Sequence, residues 1–383
     1  MTCGAAGCAG TEAPVKKFVA RAITTEADQA RPDARRGRGA LSDVGSRYDT
    51  LKRERQDDGW GVWDEVEPLK TILHDDTTRS IIAWNKSPDI PFDRSINPYR
   101  GCEHGCVYCF ARPSHAYLGF SPGLDFETQI MVKRNAATLL RQELSSRGYR
   151  VATMNMGTNT DPYQPVERDL GITRQIVEVL RETKHPLGIV TKNHLVTRDI
   201  DLFKDMARDG LVKIFLSVTT LDRQLARRME PRASTPPKRL EAIRMLAEAG
   251  IPVGVMVAPI IPMLNDMEIE GILAEAHAAG AREAGYVMLR LPFELKELWR
   301  EWLAEHYPDR AARVMKLIQE SRGGKDYVPQ FGSRMRGEGP YMELVAQRFA
   351  LATRKLGFNT NRLRLRSDLF QPPARDARQG SLF

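Results

Sequence analysis

From residue 133 onward, short apolar runs alternate with longer segments in which apolar residues recur every three or four positions. The runs at 151–157, 187–192, 212–218, 253–258 and 286–290 are dominated by Val, Ile, Leu and Met. They read as strands buried on both faces, the pattern of a parallel sheet covered by helices. Between them, 133–146 sets Ala136, Leu139, Leu140 and Leu144 on one helical face, and 172–180 does the same with Ile172, Ile176, Val179 and Leu180. The segments 202–208, 236–249 and 267–279 also read as helices, the second opened by Pro236 and closed by Gly250. Strand–helix alternation of this length predicts parallel βαβ units and an α/β fold. Six units result when one is assigned to the region of 80–101, where 80–84 reads as a short strand. After Pro292 the pattern becomes helical only, at 295–306, 310–321 and 341–356.

Residues 1–65 lack periodicity and are rich in Ala, Gly, Arg and Asp. They read as a flexible basic leader, with Arg35 to Ala40 as a mobile basic loop. The expected organisation is therefore leader 1–65, core barrel 66–292 and helical C-terminal extension 293–383 ending in a basic tail. The formal charge of +8 over 383 residues points weakly to polyanionic partners. The charge is concentrated at 354–378, where seven basic residues face two acidic ones, which makes nucleic acid a candidate partner. No run of 18 apolar residues is present, so no membrane span is expected. An odd count of five cysteines and a start unlike a signal peptide place the chain in a reducing cytoplasm.

The chemistry concentrates in Cys102-Glu103-His104-Gly105-Cys106-Val107-Tyr108-Cys109. Three thiolates on one short loop can each bind one iron of a four-iron cluster, leaving the fourth iron open to a cofactor. The alternative is a zinc knot of Cys102, Cys106, Cys109 and His104 in a nucleic-acid-binding protein without redox chemistry. It lacks the second cysteine arm such knots use.

This C-x₃-C-x₂-C spacing, with the aromatic Tyr108 before the third cysteine, resembles that of the radical S-adenosylmethionine (radical SAM) enzymes. The resemblance implies a partial (β/α)₆ barrel, a [4Fe-4S] cluster on Cys102, Cys106 and Cys109, and S-adenosylmethionine chelated by the open iron. It also implies a one-electron donor such as flavodoxin or ferredoxin. One electron would release a 5′-deoxyadenosyl radical from the cofactor. The strand-end residues resemble spore photoproduct lyase and its DNA repair photolyase-like relatives. In that group Tyr108, Thr158, Thr160, Asp161, Lys192 and Ser217 become contacts to the cofactor, Lys192 facing its carboxylate. Glu230 and Arg232 either orient the cofactor or pair with each other. Pro259 and Pro262 form a rigid apolar loop for the adenine. The stretches 36–40 and 335–341 are similar to a bacterial subgroup of that branch. One departure is plain: the lyase returns a hydrogen atom from an active-site cysteine, and this chain has no cysteine after Cys109. Tyr99, Tyr117 and Tyr163 are the alternative hydrogen donors.

Overall fold

A computed structural model describes residues 37–49 and 69–373. Six strands, β1 (Arg94–Ile96), β2 (Met154–Met156), β3 (Leu187–Thr191), β4 (Val212–Ser217), β5 (Val253–Ile260) and β6 (Glu283–Met288), lie side by side in chain order. Every neighbouring pair is parallel. Sequential parallel order sends each crossover the same way round, so the helices cover one face and the sheet curls into a barrel wall. Ile82–Trp84 pairs antiparallel with β1 and forms one edge, and β6 forms the other. The fold is the partial (β/α)₆ barrel.

The helices α1 (Ala136–Leu144), α2 (Ile172–Glu182), α3 (Ile200–Arg208), α4 (Pro236–Glu248) and α5 (Ile269–Ala278) alternate with the strands. Their apolar faces drive the packing. On α2, Ile176, Val179 and Leu180 are fully buried against the sheet, each contributing roughly 2 kcal/mol of transfer free energy. The strands depart from the expected burial on both faces. In β3, Leu187, Ile189 and Thr191 are buried while Gly188 and Val190 are half-buried. In β4, Lys213 and Phe215 are half-buried in the same alternation. The barrel is open, and the inward face of its strands borders empty space.

Two findings change the expected organisation. Residues 37–49, read as part of a flexible leader, are packed into the protein. Ala40 and Ser42 are fully buried and Val44 nearly so, and the Ser42 hydroxyl donates to Glu301 at 2.6 Å. The physical reason is a long-range acceptor: the backbone N–H groups of Gly39 and Ala40 both donate to the Glu127 carboxylate, at 2.9 and 2.8 Å. Residues 1–36 and 50–68, with the expected start of order near Val66, lie outside the described residues.

The helical extension is also not a separate layer. Helices α6 (Leu295–His306) and α7 (Pro308–Glu320) share one apolar cluster with Cys106, Val107, Tyr108 and Ala40. Trp299 and Trp302 of α6 stack at 5.0 Å within it. Helix α8 (Pro340–Leu356) buries Val345 and Phe349 in the main barrel core instead.

Candidate active site

The cysteine loop follows β1 and is fastened from several sides. Tyr99–Arg100, just before it, pairs antiparallel with the strand Gln129–Val132. Cys102 N–H donates to Phe126 carbonyl at 2.9 Å and Val107 N–H to Met229 carbonyl at 3.0 Å. The Arg112 guanidinium, fully buried, donates to Cys106 carbonyl and to Glu127, the latter at 2.5 Å. Gly105 adopts φ +66°, and a Cβ there would meet the Glu127 carboxylate at 2.6 Å. Glycine is what lets this carboxylate seat the loop.

The three cysteines are free thiols, Cys102 and Cys106 buried and Cys109 half-buried. All three line one cavity of about 90 Å³, which Thr158, Asp161 and Lys192 also border. A second cavity of about 230 Å³ shares Cys106, Cys109, Lys192 and Ser217 with the first and extends to Pro259 and Arg290. Burial pushes the Cys102 and Cys106 thiols well up, and at Cys102 the charge of Asp161 adds to the effect. At Cys106 the Lys192 ammonium opposes it. Thiolates in this place call for positive charge close at hand.

Asp161 lies in the loop after β2, and its carboxylate is fully engaged. It accepts from the Thr191 hydroxyl at 2.7 Å, the Lys192 N–H at 2.8 Å and the Tyr163 N–H at 2.9 Å. His104 Nδ1 stands 3.4 Å away. Burial disfavours the charge, but His104 and these donors outweigh it and hold the carboxyl at about 2. The other residues of that loop are also tied to the protein. Thr160 donates to Tyr99 carbonyl at 3.1 Å, and Thr158 exchanges a 3.4 Å contact with the Asn97 carboxamide. Lys192 and Ser217 stand at the carboxyl ends of the neighbouring strands β3 and β4, with Lys192 Nζ 5.8 Å from the Tyr108 ring centre.

Glu230 and Arg232 do not pair with each other. The Glu230 carboxylate is buried behind Tyr108 and takes the Tyr108 hydroxyl, the Thr219 hydroxyl and the Arg239 guanidinium. Arg232 reaches Glu103 at 3.1 Å on the other side of the loop. A two-residue spacing outside a strand does not hold two side chains together, and each found a partner from a distant segment. Arg239, which also donates to Ser217 carbonyl at 3.1 Å, has no mark in the sequence beyond its helical position.

The tyrosines considered as hydrogen donors are placed elsewhere. Tyr99 is buried on Glu167 and Tyr163 on Asp199. Tyr117 is 70% exposed at the surface. Neither cavity is lined by any of them. The described part of the basic segment is also remote from the mouth, as its contacts at 366–371 show. Arg366 N–H bonds Gly210 carbonyl and Gln371 N–H bonds Thr183 carbonyl. Both acceptors precede barrel strands, so this segment crosses the end opposite the cysteines.

His104 faces Asp161 with one ring nitrogen and Asn193, at 3.1 Å, with the other. With both ring nitrogens facing other partners, His104 is not turned to the thiols as the fourth ligand of a zinc knot. Arg290, Phe110 and Met335, which border the larger cavity, escaped the sequence reading as site residues. Arg290 ends the last predicted strand, a position that is itself a signal. Met335 lies in an aperiodic loop and carries none. Among the described residues no helix is long and apolar enough to cross a membrane.

Comparison with known proteins agrees with this geometry. Residues 96–276 match the family model of the radical SAM superfamily. Uncharacterized protein Rv2578c of Mycobacterium tuberculosis is 38% identical over 259 residues, covering 66% of this chain and 75% of that protein. Uncharacterized protein MJ0683 of Methanocaldococcus jannaschii is 31% identical over 235 residues, covering 61% and 83%. Among solved structures, spore photoproduct lyase complexed with dinucleoside spore photoproduct has a TM-score of 0.46 at 20% identity, covering 62% of this chain and 66% of that one. With the family model covering the cysteine loop and barrel strands β2 to β5, the chain belongs to the radical SAM superfamily and is a radical SAM enzyme.

Proposed function

We propose that Cys102, Cys106 and Cys109 hold a [4Fe-4S] cluster and that S-adenosylmethionine binds beside it, across Lys192 and Ser217. The observation that carries this reading is the junction of the two cavities. Three free thiols line the smaller one, and the larger one shares Cys106 and Cys109 with it. Buried thiols whose ionisation is opposed by burial fit a cationic cluster, which supplies the missing positive charge. When bound, the cluster supplies the electron that cleaves the sulfonium of S-adenosylmethionine, and the radical chemistry belongs to the cofactor.

The protein's own residues bind, orient and exclude water. Lys192 complements the cofactor carboxylate as a charge-assisted donor, and the Ser217 hydroxyl and Thr158 add polar contacts around it. Asp161 and Thr160 act by positioning: Asp161 ties the loop after β2 to the end of β3, and Thr160 ties it to the segment entering the cysteine loop. Tyr108 walls the pocket while Glu230 fixes its hydroxyl. Pro259, at the end of β5, supplies an apolar wall suited to the adenine. A flavodoxin- or ferredoxin-type protein would deliver the electron. A nucleic-acid substrate would enter at the cysteine end of the barrel, since the basic segment lies at the other.

Anaerobic reconstitution with iron and sulfide, followed by a 5′-deoxyadenosine assay with dithionite, tests the reading. The expected result is cluster absorbance and cofactor cleavage in the wild type, and loss of both in Cys102→Ala, Cys106→Ala or Cys109→Ala. A wild-type protein that assembles no cluster, or cleaves no cofactor, overturns it.

A further inference from the structure

The larger cavity is lined by a cation, Arg290, that has no carboxylate partner within 4 Å among the described residues. Arg290 follows β6 and lines this cavity together with Phe110, Met288 and Met335. Its guanidinium carbon lies 4.7 Å from the centre of the Phe110 ring. Its Nη1 points at the thioether sulfur of Met335, 3.3 Å away, a weak acceptor. Its Nε is buried with no hydrogen-bond partner. Arg290 is half-buried; a guanidinium stays charged under all ordinary conditions, and even partial burial without a counter-ion is costly.

The surroundings make the imbalance greater. Burial lowers the affinity of Arg290 for its proton, and the neighbouring Arg334 adds to this, while Tyr327 and Asp89 oppose it. Asp89 is already spent, accepting from Arg334 at 2.5 Å and from Gly332 N–H at 2.7 Å. Arg322, whose own charge is opposed by that of Arg290, gives its donors to Ser333 and Leu289 carbonyls. Among the described residues Arg290 forms no ion pair with a carboxylate at 4 Å or less. The cationic group is held by an aromatic face, a thioether and a bond to the Tyr327 side chain, none of them a counter-ion, and its Nε stays unpaired. That is how a site is prepared for an oxyanion that arrives with a ligand.

Resting on the radical SAM reading, we propose that Arg290 is a substrate-binding residue and that the substrate carries an oxyanion, a carboxylate or a phosphate, which its guanidinium binds in the larger cavity. Cys106, Cys109 and Lys192 line the same cavity. The anion therefore anchors the substrate at the Arg290 side and leaves its reacting carbon toward the cluster. The thioether and aromatic walls accept an apolar portion between the two.

The test is equilibrium binding to the reconstituted full-length protein, without reductant, in the presence of S-adenosylmethionine. Phenyl phosphate, benzoate and the neutral benzamide serve as probes. At least one anion should bind saturably, about tenfold or more weakly to Arg290→Gln, and with part of the affinity restored in Arg290→Lys. Benzamide should bind the wild type and Arg290→Gln alike. Preference for phenyl phosphate assigns a phosphorylated substrate, and preference for benzoate a carboxylate. The proposal is overturned if neither anion binds the wild type, if Arg290→Gln binds them equally, or if S-adenosylmethionine displaces them, which would assign Arg290 to the cofactor. Cluster absorbance on the same samples separates the two readings. A loaded cluster without anion binding sinks this proposal alone, and anion binding without a cluster sinks the radical SAM assignment of the site alone.

Discussion

The Asp161 carboxylate accepts the backbone N–H of Lys192 at 2.8 Å, so the acid after β2 sets the direction in which the chain leaves β3. A side chain from one strand end thereby positions the cation of the next. The sequence reading had both residues touching the cofactor; of the two, Asp161 spends its carboxylate on protein donors, while Lys192 forms no ion pair among the described residues and borders both cavities.

Lys192→Met should preserve length and apolar stem while removing the ammonium. Cluster absorbance is expected to remain, and S-adenosylmethionine affinity, measured by equilibrium dialysis, to fall by about tenfold or more. Unchanged affinity would remove Lys192 from the cofactor site.

Gly39 packs directly on the cysteine loop, and a Cβ there would lie 1.7 Å from Gly105 carbonyl oxygen. Gly39→Ala should therefore lift residues 37–45 off the loop while the barrel stays folded. Faster proteolytic cleavage near residue 39 and faster loss of iron to a chelator are the expected signs. Wild-type rates of both would show that the packed segment does not shield the loop.

Arg112 and Glu127 form an ion pair in which both side chains are fully buried. Glu127→Gln removes one charge and strands the other, and the expected loss is about 3 kcal/mol or more in urea unfolding. Arg112→Met should cost a similar amount through the stranded Glu127. A loss below about 1 kcal/mol in both would mean that other groups carry the loop.

Burial pushes His115 and His185 down to about 4. Below pH 6.5 the unfolded chain takes up protons at these sites that the folded protein refuses, so stability is full above 6.5 and is lost as pH falls toward 4. Each histidine contributes up to about 3 kcal/mol to that loss. The unfolding free energy of His185→Gln should fall less steeply between pH 6.5 and 4 than that of the wild type. Identical slopes would show that His185 is not held neutral by the fold.

The alternation of apolar runs and amphipathic helices by itself determined the βα order, because a strand buried beneath helices and a helix with one apolar face each need their own residue periodicity. The cysteine spacing likewise marked the candidate site, since three thiols within eight residues of a tight loop lie close together. Strand-end position was enough to put Lys192 and Ser217 near the cysteines. The partners of Glu230 and Arg232 were decided only by tertiary structure: Arg239 and Glu103 reach them from other segments, and pairing across loops leaves no periodic trace. The same holds for residues 37–49, whose polar composition suggested a mobile leader. Their place was set by acceptors from distant segments: Glu127 satisfies two of their backbone N–H groups, and Glu301 and Glu294 hold Ser42 and Arg47. Whether a stretch without periodicity is ordered depends on acceptors supplied from elsewhere in the chain, and those exist only once the chain has folded.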